Sequence, residues 1–145
     1  MNNDTLKPST VIWFFVLAFI VLFAGYGLRD PWPADEPRFV LVAKQMVDSG
    51  VWLFPHRGQE LYPDKPPVFF WLLSLSYYLI GNWRWSFLLP SLLAGMLTLW
   101  LTFDLGKRLW TPRAGLWAAV AVLVSVQFVY QFKRAQIDPV LVAMT

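Results

Sequence analysis

The chain has 145 residues, of which 57% are hydrophobic, 18% aromatic and only 14% charged, with a net charge of +3. A soluble domain carries about 25% charged residues, so too little polar surface remains to cover a water-soluble globule. The same figures exclude disorder, collagen and coiled coil.

The composition therefore predicts an all-α membrane protein, a multi-pass helical bundle. With no cysteine, there is no disulfide framework, thiol nucleophile, Cys-ligated zinc or iron–sulfur cluster. His56 is the single histidine, too little for a His-rich metal site. The basic residues are scattered between apolar runs and form no patch, so nucleic acid is not an expected partner.

Residues 11–28 form the first apolar stretch, free of charge and just long enough to cross a hydrocarbon core of about 30 Å. Lys7 precedes it and no small-residue cleavage site follows, so it is expected to be an uncleaved signal anchor. Residues 67–80 would give roughly 21 Å of helix, too short to span. Phe69, Phe70, Trp71, Tyr77 and Tyr78 suit a helix lying at headgroup level. Residues 85–105 and 114–132 are the next two predicted spans, with Pro90 in the first turns of the former. A fourth span begins at Pro139 and stops at Thr145, so the chain is expected to be a piece of a longer protein.

Charge settles the topology. The loop Lys107-Arg108-Leu-Trp-Thr-Pro-Arg113 holds three cations and no acid, which marks it as cytoplasmic. With 67–80 lying on the surface, the N-terminus is inside, residues 29–84 form an outer loop, and residues 133–138 are outside. Asp104, near the cytoplasmic end of its span, is given no role.

The outer loop carries the chemistry. Residues 29–66 hold six of the nine acids. Phe39, Val42, Ala43, Met46 and Val47 recur at helical spacing, predicting an amphipathic surface helix over 36–49 that Ser49-Gly50 closes. Asp35 stands at its N-cap with Pro37 in the first turn. It is expected to cap the helix, worth about 1 kcal/mol, and it can also serve as a general base held above the bilayer. Arg38, one turn on, is either a snorkelling cation or a phosphate ligand. In Leu61-Tyr62-Pro63-Asp64-Lys65-Pro66-Pro67, three prolines stiffen the backbone around one Asp-Lys pair, as if to aim it. Lys133 and Arg134 go against the positive-inside preference on the outer face and call for an anionic lipid head or a lipid-linked phosphate. Asp138 precedes a helix-opening proline and is a second candidate acid or a cap.

These motifs together resemble the N-terminal part of the GT-C membrane glycosyltransferases of the protein O-mannosyltransferase and lipid A aminoarabinose transferase family. The carriers are Asp-Pro-Trp-Pro-Ala-Asp35-Glu36-Pro-Arg38, the helix end Met46-Val-Asp-Ser-Gly50-Val-Trp52, Leu61 to Pro67, and Arg134-Ala-Gln-Ile-Asp138. The resemblance covers residues 10–145. It implies an inverting transfer of a sugar from a polyprenyl-phosphate carrier to a lipid, glycan or protein acceptor, on the outer face of the bacterial inner membrane. Asp35 would match the essential acidic residue of the first outer loop and Asp138 the second acid of the catalytic site. Glu36, Arg38, Asp64, Lys65 and Arg134 would bind substrate, with Arg38 and Lys65 on the carrier phosphate. Zinc binds near the lysine in some members. Asp64 stands here where aminoarabinose transferases tend to have Glu, so zinc is not expected at that position, and the sequence leaves open whether a divalent metal assists. Family members run several hundred residues further, so the piece is expected to be inactive alone.

Two other readings compete. A transporter subunit would carry charges or broken helices at the bilayer midplane, whereas these spans are nearly uncharged. A small structural membrane protein fits the composition but leaves the proline-framed Asp-Lys pair and the outer cations without a reason.

Overall fold

A computed structural model describes residues 6–33 and 35–145. Among these, the helices are α1 (Pro8–Phe23), α2 (Glu36–Ser49), α3 (Pro67–Ile80), the short α4 (Trp83–Ser86), α5 (Leu89–Leu109), α6 (Pro112–Val124), α7 (Val126–Phe132) and α8 (Ile137–Met144). Between α2 and α3 lies a small antiparallel hairpin of β1 (His56–Arg57) and β2 (Glu60–Leu61), with His56 opposite Leu61 and Arg57 opposite Glu60.

Helices α2 and α3 begin and end where the sequence places them. Each opens with a proline in its first turn and closes on a glycine in the left-handed region, Gly50 and Gly81. Phe39, Val42, Ala43 and Met46 are buried on one face of α2. On α3, Phe69, Phe70, Leu73 and Ser74 are buried in turn, and Phe39 meets Phe69 edge-on at 5.6 Å. The opposite face of α3, with Leu75, Tyr78 and Leu79, is exposed.

The spans differ from expectation at three places. The first helix stops at Phe23, five residues before Leu28, and is 16 residues long. Gly27 adopts φ +71°, and a Cβ there would lie 2.5 Å from the Trp85 ring. The chain turns where an indole needs the space, and apolarity alone does not show that. The second apolar helix runs from Trp83 to Leu109 with a short break, and it is long and apolar enough to cross a membrane.

The third predicted span is broken. Helices α6 and α7 meet at 69° around Ser125, whose backbone is extended and whose N–H bonds to the Val122 carbonyl. The run Val122-Leu-Val-Ser-Val126 combines β-branched residues with a serine, all modest helix formers, so little propensity opposes the break. Packing supplies the pull. Phe132 stacks on Phe128 at 4.2 Å and sits over Gly95 of α5, where a Cβ would meet its ring at 2.9 Å.

At the other end, α5 and α6 pack backbone against backbone. A Cβ on Gly106 would lie 2.6 Å from the Gly115 Cα, and one on Gly115 would lie 2.4 Å from the Phe103 carbonyl oxygen. Asp104 pairs with Arg108 across one turn at 2.6 Å.

Candidate active-site cleft

Five of the seven candidate site residues meet in one cleft of about 270 Å³. Asp35 and Arg38 come from the start of α2, Asp64 and Lys65 from the strap before α3, and Asp138 from the first turn of α8. Phe39, Tyr62, Gln136 and Ile137 complete the lining. Residues 35 and 138 are thus brought together from opposite ends of the chain.

The hairpin explains how the strap is aimed. Gln45 of α2 binds the tip through both ends of its amide, donating to the Gly58 carbonyl at 3.2 Å and accepting from the Gly58 N–H at 2.9 Å. The Tyr62 N–H then donates to the Pro55 carbonyl at 2.7 Å, and the Tyr62 ring is buried against Phe70 at 6.0 Å. The next residues are Pro63-Asp64-Lys65-Pro66-Pro67, so the strap leaves a fixed point with little freedom. The hairpin has a sequence signal in the two-residue turn Gly58-Gln59.

The cleft groups are chemically free. Asp35, Asp64, Lys65 and Asp138 are exposed. Among the described residues none of the four makes a side-chain hydrogen bond or ion pair. Arg38 faces the Tyr62 hydroxyl, which raises its pKa above the ordinary value, with Asp35 and Asp64 adding to the effect. The guanidinium is a permanent positive charge at the cleft.

Asp35 does not cap α2 with its side chain. Its own backbone is already near helical, φ −99° and ψ −45°, rather than extended as a capping residue requires, and Pro37 has no N–H to offer. Asp138 does not cap either, because α8 takes Gln136 as its N-cap. Both carboxylates keep their lone pairs.

Glu36 lies outside the cleft. It is buried, 1% exposed, and Arg29 grips it with two bonds of 2.6 and 2.9 Å. The N–H of Trp32 donates to one oxygen and that of Ala135 to the other at 2.7 Å. Burial pushes its pKa up, but the Arg29 hydrogen bonds, the two backbone N–H donors and the Arg29 charge outweigh that, holding the carboxyl below its usual range.

The same Arg29 donates to the Lys133 carbonyl at 2.7 Å, and the Ser91 hydroxyl donates to the Arg134 carbonyl at 2.6 Å. Three consecutive backbone positions ahead of Asp138 are therefore tied down. Glu36 and its partners form a clamp that sets Asp138 relative to Asp35. Arg29 and Ser91 carry no motif of their own in the sequence, so their part emerges only in three dimensions.

Arg134 also lies outside the cleft, with its guanidinium over the Tyr130 ring at 4.8 Å. Among the described residues no three His, Cys, Asp or Glu side chains gather in a set that could hold a metal ion.

Residues 64–145 match the family described as dolichyl-phosphate-mannose-protein mannosyltransferase. The undecaprenyl phosphate-alpha-4-amino-4-deoxy-L-arabinose arabinosyl transferase of Edwardsiella ictaluri is 31% identical over 132 residues, covering 90% of this chain and 23% of that protein. Its namesake in Pectobacterium atrosepticum is 30% identical over 122 residues, covering 83% and 21%. The crystal structure of ArnT from Cupriavidus metallidurans bound to undecaprenyl phosphate superposes with a TM-score of 0.87 at 24% identity, over 95% of this chain and 26% of that one. The chain thus spans about a quarter of the length of these relatives. Its fold is that of the N-terminal part of a GT-C membrane protein. By the match over more than half its length, the chain belongs to the dolichyl-phosphate-mannose-protein mannosyltransferase family.

Proposed function

We propose that the cleft is the reacting centre of a membrane glycosyltransferase, moving a sugar from a polyprenyl-phosphate carrier to a lipid, glycan or protein acceptor with inversion at the anomeric carbon. The observation that carries the reading is the gathering of Asp35, Arg38, Asp64, Lys65 and Asp138, with no ion pair to the carboxylates or Lys65 among the described residues. The names of the family and the relatives support the donor class, since dolichyl-phosphate mannose and undecaprenyl-phosphate aminoarabinose both carry a sugar on a polyprenyl phosphate.

In this reading the bond from the sugar's anomeric carbon to the carrier phosphate breaks and its electron pair stays on the phosphate. Arg38 and Lys65 meet the negative charge that develops there. An acceptor oxygen attacks the opposite face of the sugar. For a hydroxyl acceptor, Asp35 takes the proton; for a phosphate acceptor, already ionised, Asp35 orients the attacking group. Asp138 positions the donor from across the cleft, and Asp64 keeps Arg38 turned into it. The cleft faces the outside of the bacterial inner membrane, with Lys107 to Arg113 inside. The chain is inactive without the length that its relatives add.

The test is Asp35→Asn in the full-length protein, assayed for sugar transfer in membrane vesicles. Transfer is expected to fall by about 10²–10⁴ with an unchanged melting temperature, the range of a positioned general base. Turnover at the unaltered rate would remove Asp35 from this role.

A further inference from the structure

The elbow at Ser125 opens a second groove, of about 590 Å³, that shares no lining residue with the cleft. Val124, Val126 and Val129 give it an apolar lining, Trp32 and Tyr130 flank it, and Lys133 and Arg134 stand at the end of α7. Val124 and Val126 are 71% and 84% exposed, because the bend turns them out of the bundle. Arg29 also reaches the groove, but Glu36 already balances its charge. Among the described residues neither Lys133 nor Arg134 has a carboxylate partner. The groove therefore ends in two unbalanced cations beside two aromatic rings of the kind found at a headgroup boundary.

We propose that this groove holds one anionic glycerophospholipid, its phosphate between Lys133 and Arg134 and an acyl chain along the three valines. Charge complementarity selects the occupant. A zwitterionic headgroup brings no net negative charge to the two cations whereas an anionic one does, and a water-soluble anion would leave the valines bare. The inference does not rest on glycosyl transfer, because the lipid is a fixed component of the bundle and not a substrate. It gives the outer cations a partner that needs no second protein.

The experiment is native mass spectrometry of the full chain in neutral detergent, titrated with phosphatidylglycerol or phosphatidylcholine. One retained phosphatidylglycerol is expected, preferred about 25-fold, since each cation near an anionic lipid contributes about five-fold. Lys133→Gln lowers that preference about five-fold, Lys133→Gln with Arg134→Gln abolishes it, and Lys133→Arg keeps it. Val129→Trp fills the groove, leaves both charges, and is expected to release the lipid. Circular dichroism confirms that each variant is folded. Equal retention of the two lipids by the unaltered chain would overturn the proposal, as polypeptide would then cover the groove. So would undiminished retention in Val129→Trp, which would reduce the effect to surface attraction. Release of the lipid by millimolar inorganic phosphate would also overturn it, because the site would then read phosphate alone.

Discussion

Asp35 and Glu36 are neighbours in the chain, identical in charge and one methylene apart in size, yet they live opposite lives. Asp35 is exposed at a cleft with no side-chain partner among the described residues, while Glu36 is buried and accepts bonds from Arg29, Trp32 and Ala135. One carboxylate is left available because the next one is fully engaged. The engaged member and its Arg29 partner are tied to Ala135 and Lys133, so the available one meets Asp138. Chemistry and scaffolding are divided between adjacent residues.

Breaking the engaged member should have the largest structural effect. Glu36→Ala leaves two backbone N–H groups without their acceptor and Arg29 with only backbone carbonyls; because Arg29 is partly exposed, the cost should fall below the about 3–5 kcal/mol of a fully buried pair. Chemical denaturation in detergent should show this drop, whereas Asp35→Asn should stay within about 0.5 kcal/mol of the unaltered protein. Equal destabilisation by the two would erase the contrast.

Acid should separate them further. The folded-state pKa of Glu36 lies below its ordinary value. The stability it contributes is therefore complete above the unfolded carboxylate pKa of about 4.3 and is lost as pH falls through the folded value. Melting temperatures at pH 7 and pH 3 should differ more for the unaltered protein than for Glu36→Gln, which has already lost that linkage.

The two ends of the bundle can be compared by placing single cysteines in the cysteine-free chain at Gly50, Asn82, Thr111 and Gln136. An impermeant thiol reagent on intact cells should label 50, 82 and 136 and spare 111. Labelling at 111 would place the cleft inside. The smallest effect is expected at Tyr26, whose buried hydroxyl has no hydrogen-bond partner among the described residues. Tyr26→Phe removes an unsatisfied group and should leave the melting temperature unchanged or slightly higher.

Helices α2 and α3 were legible to the residue because proline and glycine bracket each of them, and those signals act locally. Two of the three segments that line the cleft were legible for a related reason, while the arrival of Asp138 from α8 was not. Asp35 and Arg38 are one turn apart, and prolines frame Asp64 and Lys65, so short-range pattern exposes both pairs. Glu36 was not legible as a clamp, since its Ala135 partner is 99 residues away and nothing near Glu36 in sequence distinguishes it from a solvent-facing acid. The break at Ser125 escaped as well. An uninterrupted apolar run looks like one span, and the force that bends it comes from Phe132 settling over Gly95 on another helix.

The contact of Gly106 with Gly115 has a mechanical consequence. Where backbones touch with no side chain between them, there is no rotamer to give way, so even a methyl at either glycine would force α5 and α6 apart. That contact sets where α6 starts, and with it the line along which α7 and the residues leading to Asp138 return to α5.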